Sequence, residues 1–162
     1  MAAPLEGAET GPNPTDRGKK GAKIHILVDQ RGVPLTVRVS GANIHDRWYI
    51  KELIISVVVP RPGGWQQKLC ADRAYNAHDI HQFVQKLGFE DRILRRRQRG
   101  QPPPEPSAPA DSYRWIVERT LFWFSKRRSI RTRWSKKSEN YLAFLLFATA
   151  SIALDRANYA SQ

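Results

Sequence analysis

An α/β fold follows from the order in which two hydrophobic periods alternate along the chain. Two β-type runs come first, strand-like and helix-like segments alternate as far as residue 95, and two helical segments follow a proline-rich stretch. At 162 residues the chain has the length of one domain, given a usual size of about 100–200 residues. Its hydrophobic fraction of 41%, with five Trp, five Tyr and six Phe, supplies a core and excludes wholesale disorder.

Residues 1–22 are rich in Pro, Gly, Thr and Asn, lack a period and read as an extended segment. Residues 23–29 (KIHILVD) and 34–40 (PLTVRVS) form a predicted hairpin, with Gly32 available for a positive φ in the turn. Helical spacing through Trp48, Leu53, Ile54 and Val57 predicts a helix over 45–59, with Asp46 near its start and a β-branched last turn. After a turn at 60–64, residues 67–71 (QKLCA) form a short buried strand ending at Asp72. Asn76 is placed to cap a helix to Leu87, whose Ile80, Phe83, Val84 and Leu87 share one face, and Gly88 stops it. A strand over 89–95 leads into an arginine cluster. Residues 100–110 hold five prolines and read as a linker. Asp111 and Ser112 cap a helix to about Arg128, and a last helix, 138–156, is apolar almost all round and reads as buried. The predicted division is an extended segment (1–22), a core part (23–99), the linker (100–110) and a helical part (111–162).

One cysteine, Cys70, excludes an internal disulfide framework and fits a reducing, cytoplasmic setting. No signal peptide is evident, and the longest apolar run is short of a membrane span, so no membrane partner is expected. The net charge of +12 is concentrated between residues 91 and 137, where fourteen Lys/Arg face four Asp/Glu. One cluster holds Arg95, Arg96 and Arg97; the other holds Lys126, Arg127, Arg128, Arg131 and Arg133, with Trp115, Trp123 and Trp134 interleaved. Planar guanidinium groups mixed with aromatic rings suit phosphate contact and base stacking, so a nucleic acid is the expected partner. A solvated basic face over core tryptophans is the plainer alternative.

Two carboxylates stand out. Asp72 ends a buried strand, where open α/β sheets place their ligands. Glu118 lies on a helix beside the Val117, Leu121 and Phe124 stripe, between Arg114 and Arg119. Each has a structural reading, as a strand-end turn and as an ion pair. Each also suits a hard ion such as Mg²⁺, two of which can clamp the oxygens of a phosphodiester displacement. His78 and His81 lack the partners of a zinc set. His25 alternates with Ile24 and Ile26 in a strand and faces either solvent or sheet cover, and no phosphate-binding glycine loop is present.

Three segments in order, TGPNPTDRGKKGAKIHILVDQRGVPLTVRVSGANIHD (10–46), LCADRAYN (69–76) and YRWIVERTLFWFSKRRSIRTRW (113–134), resemble bacterial insertion-sequence transposases of the DDE superfamily, the insertion-sequence-five group above all. The resemblance runs from about residue 10 to 156. It implies a ribonuclease H-like mixed sheet with flanking helices and three carboxylates that bind two Mg²⁺ or Mn²⁺ ions. The second acid of the A-D-[KR]-[AG]-Y motif matches Asp72, and the Glu of the W-x-V-E-R helix matches Glu118. The Arg that follows, Arg119, and the basic residues downstream of it match DNA-contacting elements. The implied activity is metal-dependent nicking at transposon ends and strand transfer to target DNA, by a homo-oligomer or beside a full-length transposase.

The first acid of the family lies on a strand ahead of the segment at 10–20, where this chain reads MAAPLEGAE. The expectation is therefore a catalytic-domain portion lacking its first, central strand, through gene decay, a late start codon or a second reading frame joined by frameshifting. Asp29 and Asp46 are poor substitutes, since one ends a hairpin strand and the other starts a helix. Unpaired strand edges would then lower stability or promote aggregation. The alternative function is an inactive DNA-binding remnant that modulates a full-length transposase.

Overall fold

The computed structural model describes residues 1–95 and 110–160. Arg96, Arg97 and most of the proline-rich stretch lie outside them. The elements are β1 (Gly11–Pro12), β2 (Lys20–Val28), β3 (Pro34–Gly41), α1 (Ile50–Ile55), β4 (Lys68–Ala71), α2 (His78–Lys86), β5 (Glu90–Ile93), α3 (Ala110–Ser125), α4 (Arg128–Arg131) and α5 (Ser138–Ala160). The predicted hairpin is the antiparallel pair β2–β3, with Ile24 opposite Val39 and Ile26 opposite Val37. Its turn is an Asx turn: Asp29 Oδ1 accepts from the amides of Arg31 and Val33, each at 2.8 Å. The short β1 also pairs antiparallel with β2, in a segment whose sequence has no strand period.

The period of two turns alternate β3 side chains to opposite faces. Val37 and Val39 pack with Phe124 of α3, Ile130 of α4, and Tyr141, Leu145, Ala148 and Ile152 of α5. On the other face Thr36 Oγ1 meets Ser56 Oγ at 2.9 Å, and Arg38 Nε donates to Glu52 Oε1 at 2.6 Å, both against α1. The hairpin is thus covered on both sides. A second cluster gathers Ile50 and Ile54 of α1, Leu69 of β4, Ile80 and Val84 of α2 and Ile93 of β5. Strands β4 and β5 run parallel, Leu69 opposite Asp91, as a separate two-stranded sheet joined through α2.

Three expectations change. The helix over 45–59 breaks into a 3₁₀ turn, Asp46–Trp48, and the six-residue α1, because the β-branched run to Val59 ahead of Pro60 is a poor helix terminus. Helix α2 starts at His78 without a side-chain cap: Asn76 is spent on His81 instead. Helix α5 is not wholly buried. Tyr141, Leu145, Ala148 and Ile152 form its buried stripe, while Phe144, Phe147 and Leu154 are exposed. None of the described helices is long and apolar enough to cross a membrane.

Candidate functional site

Two of the chain's five Asp-Arg pairs, at 46 and 72, become two packed 3₁₀ turns. At the end of β4, Asp72 takes an extended conformation and its Oδ1 accepts from the amide of Ala74 at 2.8 Å, starting the turn Arg73–Tyr75. The turn Asp46–Trp48 is capped by His45, whose Nδ1 accepts from the amide of Arg47 at 3.3 Å. The cap is His45, so Asp46 has another role. Its Oδ1 takes Lys23 Nζ at 3.0 Å, and the same ammonium donates to the carbonyl of Ile44 at 2.9 Å. Asp46 and Asp72 line one cavity of about 490 Å³, walled by β2 at Ile24 and Ile26 and by β4 at Leu69. Tyr75 also lines it, and its phenol is held well above its ordinary range, first by burial and then by the negative charges of Asp46 and Asp72. From the sequence Asp46 reads as a helix-start residue, and with Asp-Arg pairs also at 16, 72, 91 and 155 the pair alone does not mark it.

Glu118 does not line this cavity, but its helix α3 does. Val117 and Leu121 line the cavity, so the helix passes with Glu118 one residue beyond Val117. Two contacts to the hairpin turn fix it: Arg119 Nη2 donates to the carbonyl of Arg31 at 2.7 Å, and Thr120 Oγ1 donates to that of Gly32 at 2.8 Å. Gly32 has φ +83, and a Cβ there would meet Arg119 Nη2 and Thr120 Oγ1, each at 3.0 Å. Glu118 itself is exposed and accepts from Arg114 Nε at 2.9 Å. Hard carboxylate oxygens are the right donor type for Mg²⁺. Among the described residues, however, no group of three or more His, Cys, Asp or Glu is placed to hold an ion, so no chemical step is derived through one.

The predicted basic residues divide. Arg95, Lys126, Arg128 and Arg131 are exposed, and Arg127 is half-buried with Nη2 on Ser151 Oγ at 2.8 Å. Arg119 is tied to the hairpin and lies over Trp115 and Trp123, 4.4 and 5.1 Å from their centroids. Trp115 and Trp134 are exposed rather than core residues. Arg133 is 1% exposed. Its guanidinium donates to the carbonyls of Ala8, Glu9, Ser135 and Lys136, which makes it a clamp between two backbone segments.

Small α/β sheets flanked by helices, with a carboxylate at a strand end and exposed basic residues at and after the end of α3, are compatible with the ribonuclease H-like fold of DDE enzymes. The family profile Transposase DDE domain matches residues 2–153. The chain is 32% identical over 159 residues, 95% of its length and 72% of the relative's, to a Burkholderia cepacia protein assigned as the transposase of insertion sequence element IS402. No solved structure matches it. The chain belongs to the DDE transposase family of bacterial insertion sequences.

Proposed function

We propose that the chain forms part of a site for metal-dependent cleavage and strand transfer of DNA, with Asp72 and Glu118 as two of its carboxylates and Mg²⁺ or Mn²⁺ as the ion. The observation that carries this is the shared cavity, with Asp72 at one wall and the helix of Glu118 at another. Arg95, Lys126, Arg127, Arg128 and Arg131 form the DNA interface, joined by Arg96 and Arg97 from the sequence and by Arg119 at its edge. Arg133 is left out because its donors are spent within the fold. A cytoplasmic setting fits the single cysteine.

The same cavity is the place for a further strand. Ala22 exchanges both backbone hydrogen bonds with Met1, at 2.9 and 3.1 Å, while the carbonyl of its neighbour Gly21 accepts from Ala42 beyond β3. Alternation then turns the backbone groups of Ile24 and Ile26 toward the cavity. A strand placed there would bridge β2 and β4, and an aspartate on it beside Asp72 would supply the first carboxylate.

The test is a labelled duplex carrying the terminal repeats of the element that encodes the chain, incubated with Mg²⁺ or Mn²⁺. With a segment supplying the aspartate-bearing strand added, the expected result is nicking at the ends, abolished by Asp72→Asn and by Glu118→Gln with binding retained. Loss of binding in Glu118→Gln would assign that residue to the fold. Binding without cleavage even with that segment present would favour the second reading, a DNA-binding remnant that modulates a full-length transposase. That reading draws on the Arg114–Glu118 pair, which occupies the carboxylate with a cation of its own helix.

A further inference from the structure

The two Asp-Arg turns sort their side chains. Asp46 and Asp72 line the cavity between the sheets, whereas Arg47 and Arg73 line a second pocket of about 270 Å³ with His45, Trp48, Ala74 and Asn76. No carboxylate lines this second pocket. Trp48 is 64% exposed, and unlike the similarly exposed Trp65 and Trp134 it lies in this pocket, with Arg47 4.5 Å from the indole centroid. That contact covers part of the ring, orients it and leaves the rest to solvent. Asn76 of the same pocket is held by its side chain. Asn76 Oδ1 is 2.9 Å from His81 Nε2, and His81 Nδ1 is 2.5 Å from Asp91 Oδ2, so the amide is anchored through α2 to β5.

An exposed ring backed by one guanidinium and sharing its pocket with another, with amide and imidazole groups beside it, has the components that hold a nucleotide: a stacking surface, phosphate-binding charge and polar groups for a base edge. The pocket adjoins Asp72 through consecutive residues, since Arg73 and Ala74 line it and Ala74 donates to the Asp72 carboxylate. We propose that this pocket binds one unpaired nucleotide of the DNA, its base stacked on Trp48 and its phosphate on Arg47 and Arg73. The strand is thereby set with its next phosphate toward Asp72. This rests on the DNA reading above and adds a preference for unpaired over paired ends.

Binding of the full chain to two fluorescent DNAs tests it: a blunt duplex, and the same duplex with a short unpaired 3′ extension. The native chain is expected to prefer the extended duplex. Trp48→Ala should lose affinity for it roughly tenfold or more, the scale of one lost base stack, with little change on the blunt duplex. Trp48→Phe, which keeps a ring, should retain most of the preference, and Trp65→Ala, an exposed tryptophan outside the pocket, all of it. Arg73→Gln should lower the salt slope by about one, which Trp48→Ala should leave alone. Equal loss on both duplexes, no loss, or Trp48→Phe behaving as Trp48→Ala would overturn the proposal while leaving DNA binding in place. Failure of the native chain to bind either duplex would instead remove the DNA reading, and this proposal with it.

Discussion

His81 Nδ1 lies 2.5 Å from Asp91 Oδ2, and Nε2 of the same ring lies 2.9 Å from Asn76 Oδ1. One side chain of α2 thus ties β5 to the last residue of the turn that begins at Asp72. The His81 and Asp91 side chains are both largely withdrawn from water. Removing the ring leaves a carboxylate without its partner at a buried position, which costs about 1–3 kcal/mol. His81→Ala should lower the urea midpoint accordingly, and amide exchange at residues 73–76 should quicken. Unchanged exchange there would mean that the turn is held by its backbone alone.

Gly32 is the second point of leverage on the site, through α3. Its positive φ and the contacts of Arg119 and Thr120 leave a side chain neither the conformation nor the space. Gly32→Ala should cost more than the roughly 0.4–1 kcal/mol that a compatible exchange gains, with the opposite sign. The hairpin turn and the Glu118 segment should loosen together in hydrogen exchange. Loosening of the turn alone would show that α3 is fixed from its other side.

Much of this arrangement was legible because it is local. The hairpin follows from alternation in KIHILVD and PLTVRVS, and Asp72 is marked by the end of a short apolar strand. What could not be read is set by contacts distant in sequence. Arg133 looks like any other member of a basic cluster, and only the return of Ala8 and Glu9 to its guanidinium, more than 120 residues away, makes it a core residue. Asp46 reads as a helix-start residue until Lys23 and the second 3₁₀ turn bring it to the cavity of Asp72. Helix α5 is apolar all round, which gives no clue to the side that packs.

The edge of β2 makes a further prediction. The alternation fixed by the Met1–Ala22 pair turns the amides of Ile24 and Ile26 to the cavity, and those of Lys23 and His25 to β3. Hydrogen exchange should therefore alternate along the strand, fast at 24 and 26 and slow at 23 and 25. Uniform protection would show that another segment covers this edge in solution.

His25 predicts a pH dependence of stability. It is buried, with Nε2 2.7 Å from Ser40 Oγ and its ring stacked on Tyr49 at 4.4 Å. Burial holds its pKa below the ordinary 6.5; Asp46 acts in the opposite sense and Lys23 in the same one. The folded chain keeps the ring neutral while the unfolded chain takes up a proton as the pH falls. Stability from this group is therefore complete above the unfolded pKa and is lost as the pH drops below about 6.5. Urea midpoints measured from about pH 7.5 to about pH 5.5 should decline, and His25→Asn should flatten the decline. An equally steep decline in the variant would assign it to other groups.

Arg128 and Arg133, five positions apart in one basic run, should respond in opposite ways. Arg128 is exposed, and an exposed phosphate-contacting arginine contributes affinity and salt dependence but little stability. Arg128→Ala should reduce duplex affinity and lower the salt slope by about one, with the urea midpoint shifted by less than about 0.5 kcal/mol in free energy. Arg133 holds four backbone carbonyls of residues 8, 9, 135 and 136. Each such charge-assisted bond contributes about 1.5–3 kcal/mol where it is not replaced by water, so Arg133→Ala should destabilise the chain by about 3 kcal/mol or more. Under conditions where that variant is still folded, its salt slope on a duplex should match the native chain's, because the lost charge faces no phosphate. A lowered slope in folded Arg133→Ala would place this guanidinium at the DNA surface after all, and the clamp would then have to open when DNA binds.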